Sequence, residues 1–328
     1  MPSSSVRRFF DPDDYGASIR GVVAEITLTG RGRFSAKLTR IDLHRLWMQR
    51  FSESLPRVAH VKLPAGRTVL SSRTRPGPSL RRGGVENPPS TIILSAELDY
   101  YQRSSGSVHF GSISLPTEEM LGAVGEIKGA PSGGAILISP RPEAMARLLR
   151  LHRKSGDLAE SAPEILADRN AAHGLEQALV HAMLDCLAQD RVGGDRSAVR
   201  RHQLIMRRFG RLLEAHCGEA LFLPQVCKMI GVSERTLRRC CHEQIGMGPM
   251  RFVLLRRMHL VRRALRRADP ATETVTSIAT RFGFWELGRF AGSYRSLFAE
   301  PPSATLRQPP DRRRKASDSL PSILAEIA

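Results

Sequence analysis

The chain has few cysteines, and none of them lies in a metal-binding or redox pair. It contains five in 328 residues, all in the second half and without a CxxC spacing: Cys186, Cys217, Cys227, Cys240 and Cys241. Their number is odd and most have helical-looking apolar neighbours, which is typical of reduced thiols in a protein core. We therefore expect no disulfide framework.

Long apolar runs are also lacking. No stretch approaches the roughly 18 apolar residues of a membrane span, and the first residues, MPSSSVRRFFDPDDYG, contain no apolar run of the signal-peptide kind. These absences predict a soluble, cytoplasmic protein without a membrane partner.

Clustered metal ligands are missing from the first half of the chain. His109 has no HxH partner, and His44 and His60 are isolated. Since a metal site normally needs about three imidazole or carboxylate ligands, the sequence predicts no metal, no cofactor and no catalytic residues. Trp47, Tyr100, Tyr101 and His109 could line a small-molecule pocket, although each is more consistent with a core or surface position.

Acidic residues are scarce relative to basic ones. The chain has 50 Lys and Arg against 32 Asp and Glu, a net charge of +18. Residues 200–308 alone hold 20 Lys and Arg against 8 Asp and Glu, and so carry +12 of that excess. This distribution predicts a polyanionic partner for the C-terminal part.

The pattern of elements divides the chain. Residues 1–141 contain short β-like runs separated by Gly, Pro and Ser, which is typical of a β-sandwich or barrel: GVVAEITLTG, GRFSAKLTRIDL, RVAHVKL, RTVLSS, STIILSAEL, SVHFGSISL and AILISP. Residues 142–195 have a helical period and end in a linker, RVGGDRS. Residues 196–308 are helical, and 309–328 form a flexible tail. The predicted fold class is α+β, with an N-terminal β-domain, a helical linker and an all-α C-terminal domain.

Two stretches of the C-terminal part read as helix, tight turn, helix. In the first, about 222–242, Pro224 opens a helix, Gly231 ends it and Ser233 caps the next. We expect Val226, Met229, Ile230 and Val232 to pack against Leu237 and Cys241, leaving Arg235, Arg238, Arg239 and His242 outside. The second, about 274–296, repeats the pattern with its turn at Gly283.

A joining helix, 249–268, lies between these units. At 1.5 Å rise per residue it spans about 27 Å, close to the roughly 34 Å between major-groove faces on one side of DNA. Its cluster of Arg262, Arg263, Arg266 and Arg267 reads as a solvated face with some attraction for phosphate at long range.

These two units and their joining helix resemble the DNA-binding domain of the AraC/XylS family of bacterial transcription regulators. The resemblance covers about 200–308 and rests on Leu223, Gly231, Ser233, Leu237, Gly246, Pro249, Arg257, Ala264, Ile278, Ala279, Gly283, Phe284, Phe290, Tyr294 and Pro302. The run GFWELGRFAGSYRSLFAEPPSATLR is similar to ethanolamine-utilisation type regulators. Two departures from the family pattern are Cys241, where an aromatic is usual, and Ala299-Glu300-Pro301 in place of a glycine-containing turn.

The resemblance implies a site and partners. The DNA-binding residues it implies are Ser233, Arg235, Thr236, Arg238 and Arg239 in the first unit, and Glu286, Gly288, Arg289, Gly292 and Ser293 in the second. Gly288 and Gly292 would allow backbone approach with Arg289 as base reader, or they only weaken the helix, by about 1 kcal/mol each. Trp285 is expected to pack rather than to read bases.

The resemblance also implies an N-terminal cupin-like sensory domain with an unknown small-molecule effector, and a homodimer formed through the helices at 142–190. Those helices could instead only cover the β-domain. The implied function is an effector-responsive activator that binds promoter DNA and contacts RNA polymerase. Two rivals stay open, an architectural protein that binds DNA without sequence choice and a metal-dependent cupin enzyme with a DNA-binding appendage.

Overall fold

The computed structural model describes residues 1–124, 135–188, 197–217, 219 and 221–308. Within these residues the N-terminal half is an antiparallel sheet with covering helices, and the C-terminal part is all helical. This confirms the predicted α+β class. The predicted tail at 309–328 and the linker, except its last residue, lie outside the described residues.

Ten strands form one sheet in which every pairing is antiparallel. Their bounds are β1 Ser3–Phe9, β2 Val23–Leu28, β3 Ala36–Asp42, β4 Trp47–Glu53, β5 Arg57–Arg73, β6 Leu80–Arg82, β7 Val85–Glu86, β8 Ile92–Ser104, β9 Val108–Pro116 and β10 Ala135–Ile138. The order is β1-β3-β4-β9-β5-β8-β6-β7, with β10 beside β8 and β2 beside β5.

The long strand β5 joins two parts of the sheet that the sequence pattern separates. The runs RVAHVKL and RTVLSS are predicted as two strands, but they form one 17-residue strand. Its register against β8 shifts between Leu63 and Thr68, so the strand bends there. The exposed Pro64-Ala65-Gly66 turn signal marks this irregularity and not a strand end.

Twelve helices lie in the described part of the chain. They are α1 Pro12–Ala17, α2 Thr117–Val124, α3 Pro142–Ser161, α4 Pro163–Ala167, α5 Arg169–Leu187, α6 Ser197–Ala215, α7 Leu223–Ile230, α8 Glu234–Ile245, α9 Pro249–Arg267, α10 Val275–Arg281, α11 Leu287–Phe298 and α12 Pro302–Leu306. None of these helices is both long and apolar enough to cross a membrane.

Helices α3, α4 and α5 pack on the sheet. Met145 and Leu148 of α3 and Leu179 and Met183 of α5 are buried in one core with strand residues such as Met48. The apolar faces of these helices therefore cover the β-domain, as the second of the two sequence interpretations expects. Their part in a dimer stays a prediction.

The two helix-turn-helix units have separate cores, and the first shares its core with the sheet. Val58 of β5 and Tyr101 of β8 pack with α6, α7 and α8 residues including Phe209 and Val226. The second core is built from α9 to α12, around Tyr294 and Leu265. Four of the five cysteines are buried, as expected, while Cys217 is exposed.

Helix α9 is ion-paired to the N-terminal domain, and this overturns the expectation that its arginine cluster is solvated. Asp11 caps α1 by accepting from Asp13 N and Asp14 N, and it also pairs with Arg262 and Arg266. Arg263 Nη2 lies 2.6 Å from Asp13 Oδ1. The acidic run DPDD thus neutralises these arginines, and only Arg267 of the cluster is exposed.

Strand β2 extends this contact along α9. Glu25 accepts two hydrogen bonds from Arg256, from Nε at 2.8 Å and from Nη2 at 3.0 Å. The backbone N–H of Leu28 donates to His259 Nε2 at 2.9 Å. Burial lowers the pKa of His259 to about 4, so its ring is neutral and able to accept this bond at neutral pH.

A second polar contact between the sheet and α6 is centred on His60 of β5. Its Nε2 lies 2.6 Å from Asp99 Oδ1, and its Nδ1 lies 3.4 Å from Glu214 Oε1. Lys62 Nζ also binds Glu214, at 2.7 Å. Burial lowers the pKa of His60, but its hydrogen bonds to the two carboxylates more than offset this and raise the pKa to about 9.

The turn after α11 yields a prediction about backbone strain. Ala299 ends that helix with φ +58, a left-handed conformation that disfavours a Cβ. Gly231 ends α7 with φ +71, and a Cβ there would meet nothing within 4 Å. We expect Ala299→Gly to raise the free energy of unfolding by about 0.5–1 kcal/mol and the matched Gly231→Ala to lower it by about as much. Urea unfolding measures both variants. Free energies of unfolding equal to that of the wild type would contradict the left-handed conformation at these two helix ends.

His60 predicts how stability depends on pH. Because its folded pKa lies above its unfolded value, its contribution is complete below about pH 6.5 and is lost as pH rises through about 9. The contribution is on the order of 3 kcal/mol, from about 1.4 kcal/mol per pKa unit between 6.5 and about 9. Besides Asp99 and Glu214, the groups near it are Tyr101, stacked at 4.6 Å, and Glu25. Urea unfolding at a series of pH values should show this loss in the wild type, whereas His60→Gln should flatten the curve over that window.

Candidate nucleic-acid interface

The first helix-turn-helix unit is built by α7 and α8. Gly231 takes the left-handed conformation at the end of α7, and Ser233 Oγ accepts from Thr236 N at 3.2 Å to cap α8, as predicted. Met229 is 48% exposed, so the prediction that it packs inside is wrong. Cys227 takes the inner position, because it lies four residues after Leu223 and three before Ile230 on the same helical face.

The outer face of α8 is cationic. Arg235, Arg238, Arg239 and His242 are exposed, as expected, and Ser233 with the half-buried Thr236 lies at the start of the helix. Arg239 also reaches α6, where its Nη2 lies 3.0 Å from His202 Nε2. Three guanidinium groups on one side of a helix suit acceptors on guanine and phosphate.

The outer face of α11 is almost free of side chains. Gly288, Gly292 and Ser293 are exposed, and a Cβ added to either glycine would meet nothing within 4 Å. The two glycines therefore make no close contact inside the protein. Arg289 stands among them with 80% of its side chain exposed and Nη1 3.0 Å from Glu286 Oε2.

Two neighbours of this face have positions or contacts that the sequence did not predict. Trp285 is 78% exposed, so the interpretation of it as a packing residue is wrong. Arg257 of α9 donates from Nε to the carbonyl of Phe282 at 2.9 Å and stacks on Phe284, 4.7 Å from its ring centroid. Arg257 thus fixes the turn between α10 and α11, a contact between distant parts of the chain.

Helix α9 spaces the two outer faces. It has 19 residues, about 28 Å at 1.5 Å per residue, and its buried residues are shared between the two cores. The distance between the units is therefore set by one continuous helix, whose length compares with about 34 Å per turn of DNA.

The sheet lines a cavity that opens to solvent, here named the sheet cavity; the empty space in and in front of it amounts to about 720 Å³. Trp47 and Tyr100 line it, whereas Tyr101 lies in the first helix-turn-helix core and His109 is not in the lining. The arginines of this cavity do not stand out in the sequence, since nothing in their local pattern distinguishes them from surface arginines. Among the described residues no group of three or more His, Cys, Asp or Glu could hold a metal ion.

Comparison with known proteins supports the resemblance. A family model described as a helix-turn-helix domain matches residues 226–308. The chain is 46% identical over 100 residues to the probable thc operon regulatory protein of Rhodococcus erythropolis, which is 30% of each chain. It is 31% identical over 117 residues to the XylDLEGF operon transcriptional activator 2 of Pseudomonas putida, covering 36% of this chain and 73% of that one.

Among solved structures, the AraC-like transcriptional activator CuxR is similar, with 14% identity, a TM-score of 0.44, and coverage of 80% of this chain and 95% of CuxR. Of the two relatives, the chain spans 30% of the length of the thc regulator and 73% of the length of the XylDLEGF activator 2. The helix-turn-helix family match and the match to the XylDLEGF activator 2 show that the chain belongs to the AraC/XylS family of transcriptional regulators.

Proposed function

We propose that this protein is a sequence-specific DNA-binding transcription activator that reads two successive major-groove segments. The observation that carries this proposal is the pairing of two exposed recognition faces, on α8 and α11, with one 19-residue helix between them. Its relatives are named as operon regulators and activators, which favours regulation over enzymatic activity.

The first unit supplies most of the sequence readout in this proposal. Arg235 and Arg239 donate to guanine O6 and N7, and Arg238 contacts a base or a phosphate. Ser233 and Thr236, at the N-terminus of α8, contact the phosphate backbone, where the helix dipole favours an anion. Arg235 is exposed and has no described ion pair, so it is the cation most available to a base.

The second unit positions the protein more than it reads sequence. Gly288 and Gly292 let the α11 backbone approach the groove, with Ser293 beside them and Arg289 as base reader. Glu286, which holds Arg289 at 3.0 Å, would orient that guanidinium or accept from a cytosine amino group. The open space at both glycines supports this role over a purely structural one.

Effector control would run through strand β2. Ala24 and Ile26 line the sheet cavity, while Glu25 between them faces the other way and holds Arg256 of α9. Because alternate residues of a strand point to opposite faces, any shift of β2 caused by a ligand in the cavity also moves the contact with α9. Helix α1 packs directly on the same strand, because Gly16 contacts the carbonyl of Ala24 so closely that a Cβ would not fit.

The remaining features of this proposal are a cupin-like sensory role for the β-domain, a cytoplasmic homodimer formed through α3–α5, and contact of the DNA-bound form with RNA polymerase. The proposed domains are a sensory β-domain at 1–141, a helical linker region at 142–195, a DNA-binding domain at 196–308 and a tail at 309–328. Architectural DNA binding without sequence choice is the rival, and its signature would be strong salt dependence with little preference among competitor sequences.

Substitution of Arg235 tests sequence readout. In selection from a randomised DNA pool at physiological salt, the wild type should enrich one motif. Arg235→Ala should weaken binding to it by about 1–3 kcal/mol and relax one base position. Arg267→Ala removes the same charge from an exposed site on α9 and should leave the motif unchanged. A pool without enrichment by the wild type would favour the architectural rival, and a uniform loss on all sequences would reassign Arg235 to phosphate.

Substitution of Glu25 tests the connection between sheet and α9. Glu25→Gln leaves Arg256, 9% exposed, without its carboxylate, so amide exchange in α9 should rise by severalfold as this docking weakens. Glu160→Gln is the matched control, because Glu160 pairs with Lys37 and Arg50, away from α9. Hydrogen-exchange mass spectrometry measures both variants. Unchanged α9 exchange in Glu25→Gln would exclude β2 as the connection.

A further inference from the structure

The sheet cavity has the walls of a site for a small apolar molecule. Most of its lining is aliphatic or aromatic and comes from the loop between α1 and β2, from β2 itself, and from β4, β5, β8 and β9. The apolar members include Ile26, Trp47, Phe51, Val61, Tyr100 and Phe110. Pockets that bind small molecules are typically apolar with a few placed polar groups, so the polar groups decide which ligand fits.

Those polar groups are strongly biased toward positive charge. Glu53 is the one carboxylate among the lining residues. Four arginines line the cavity: Arg20, Arg57, Arg67 and Arg82. Glu53 is already engaged by Arg57, with Nε 2.8 Å from its Oε2, and by the hydroxyl of Tyr15. Arg20 pairs with Asp42. Among the described residues no ion pair holds Arg67 or Arg82, although Glu119 and Asp42 act on Arg67 from farther away.

Arg82 is the more buried of these two. Only 6% of it is exposed, yet among the described residues its hydrogen bonding is limited to Nη1 donating to Ser95 Oγ at 3.0 Å. Its Nε is buried without a partner, and the guanidinium lies 4.7 Å above the Tyr100 ring. A buried guanidinium with unused donors is costly unless an acceptor completes it, and a ligand anion in the cavity would do so.

Arg67 stands near Trp47 on another wall of the cavity. Its guanidinium lies 3.5 Å from the Trp47 ring centroid, and that of Arg20 lies 3.9 Å from the same ring. Burial and the neighbouring Arg20 charge lower the pKa of Arg67. A negative ligand would relieve this repulsion, whereas a cation would add to it.

We propose that the sheet cavity binds a small organic carboxylate with an apolar aliphatic or aromatic body. Arg82 donates from Nη2, which has no described hydrogen bond, to the carboxylate, Arg67 supplies further positive potential, and the apolar walls hold the body. This inference rests on the proposed function only for its consequence, that such an acid is the effector. A neutral sugar would leave the Arg82 charge without a counter-ion, and an inorganic anion would leave the apolar walls uncovered.

Tryptophan fluorescence provides a direct test. The chain has two tryptophans, Trp47 in the cavity and the exposed Trp285 in the second unit, so the full-length Trp285→Phe variant carries a single reporter. The probes are octanoate and 3-phenylpropanoate, with octanamide and octylamine as neutral and cationic matches to octanoate. Saturable change of the Trp47 signal by either acid, with at least about tenfold weaker binding of octanamide and octylamine, is the expected result.

Variants of Arg82 test whether this side chain binds the carboxylate group of the ligand. Arg82→Gln should weaken binding of the acid about tenfold or more and leave binding of the amide unchanged, while Arg82→Lys should recover part of the loss. Thermal unfolding without ligand checks that each variant is folded. If Arg82→Gln does not fold, the comparison of octanoate with octanamide on the Trp285→Phe background still decides, since it needs no change in the cavity.

Three results would overturn the proposal: equal binding of acid and amide, no saturable change with either acid up to millimolar concentration, or full affinity in a folded Arg82→Gln protein. Because this assay contains no DNA, its failure is distinct from failure of the regulator proposal, which the DNA selection tests. A carboxylate that binds the cavity but leaves DNA affinity unchanged supports the site and removes its role as effector site.

Discussion

The double use of helix α9 is the constraint on which the rest of the structure depends. One side of this helix completes the cores of both helix-turn-helix units, with Phe252 and Val253 in the first and Val261 and Leu265 in the second. Its polar side is held by carboxylates of the N-terminal domain: Asp11, Asp13, Asp14 and Glu25. The spacing of the recognition helices and their attachment to the sheet are thus properties of the same 19 residues.

This arrangement changes the meaning of the net charge. The excess of cations in 200–308 suggests a broad surface for a polyanion. However, Arg256, Arg262, Arg263 and Arg266 form ion pairs with Asp and Glu residues of the first 25 positions. The cations left outside are fewer and lie on definite faces, such as those of α8 and α11. Attraction for a polyanion is correspondingly more local than the charge count implies.

The sequence predicted local features well and long-range partners poorly. Gly231 and Ser233 have the predicted roles because helix ends are set by neighbouring residues, and the inner faces of α8 and α11 follow from helical period. The pairing of the DPDD run with α9 joins residues about 250 positions apart, and no local pattern encodes that. The burial of Arg82 and the exposure of Trp285 are likewise set by tertiary packing, which overrides residue type.

The measurement that tests this account most directly is a hydroxyl-radical footprint of the full-length protein on its selected DNA site. The account predicts that each bound protomer protects two segments on one face of the duplex, about one helical turn apart, because α9 fixes the distance between α8 and α11. Insertion of about half a helical turn between the two protected segments should then abolish one of them. A single protected segment, or two that tolerate the insertion, would contradict the claim that one chain reads two successive major-groove segments.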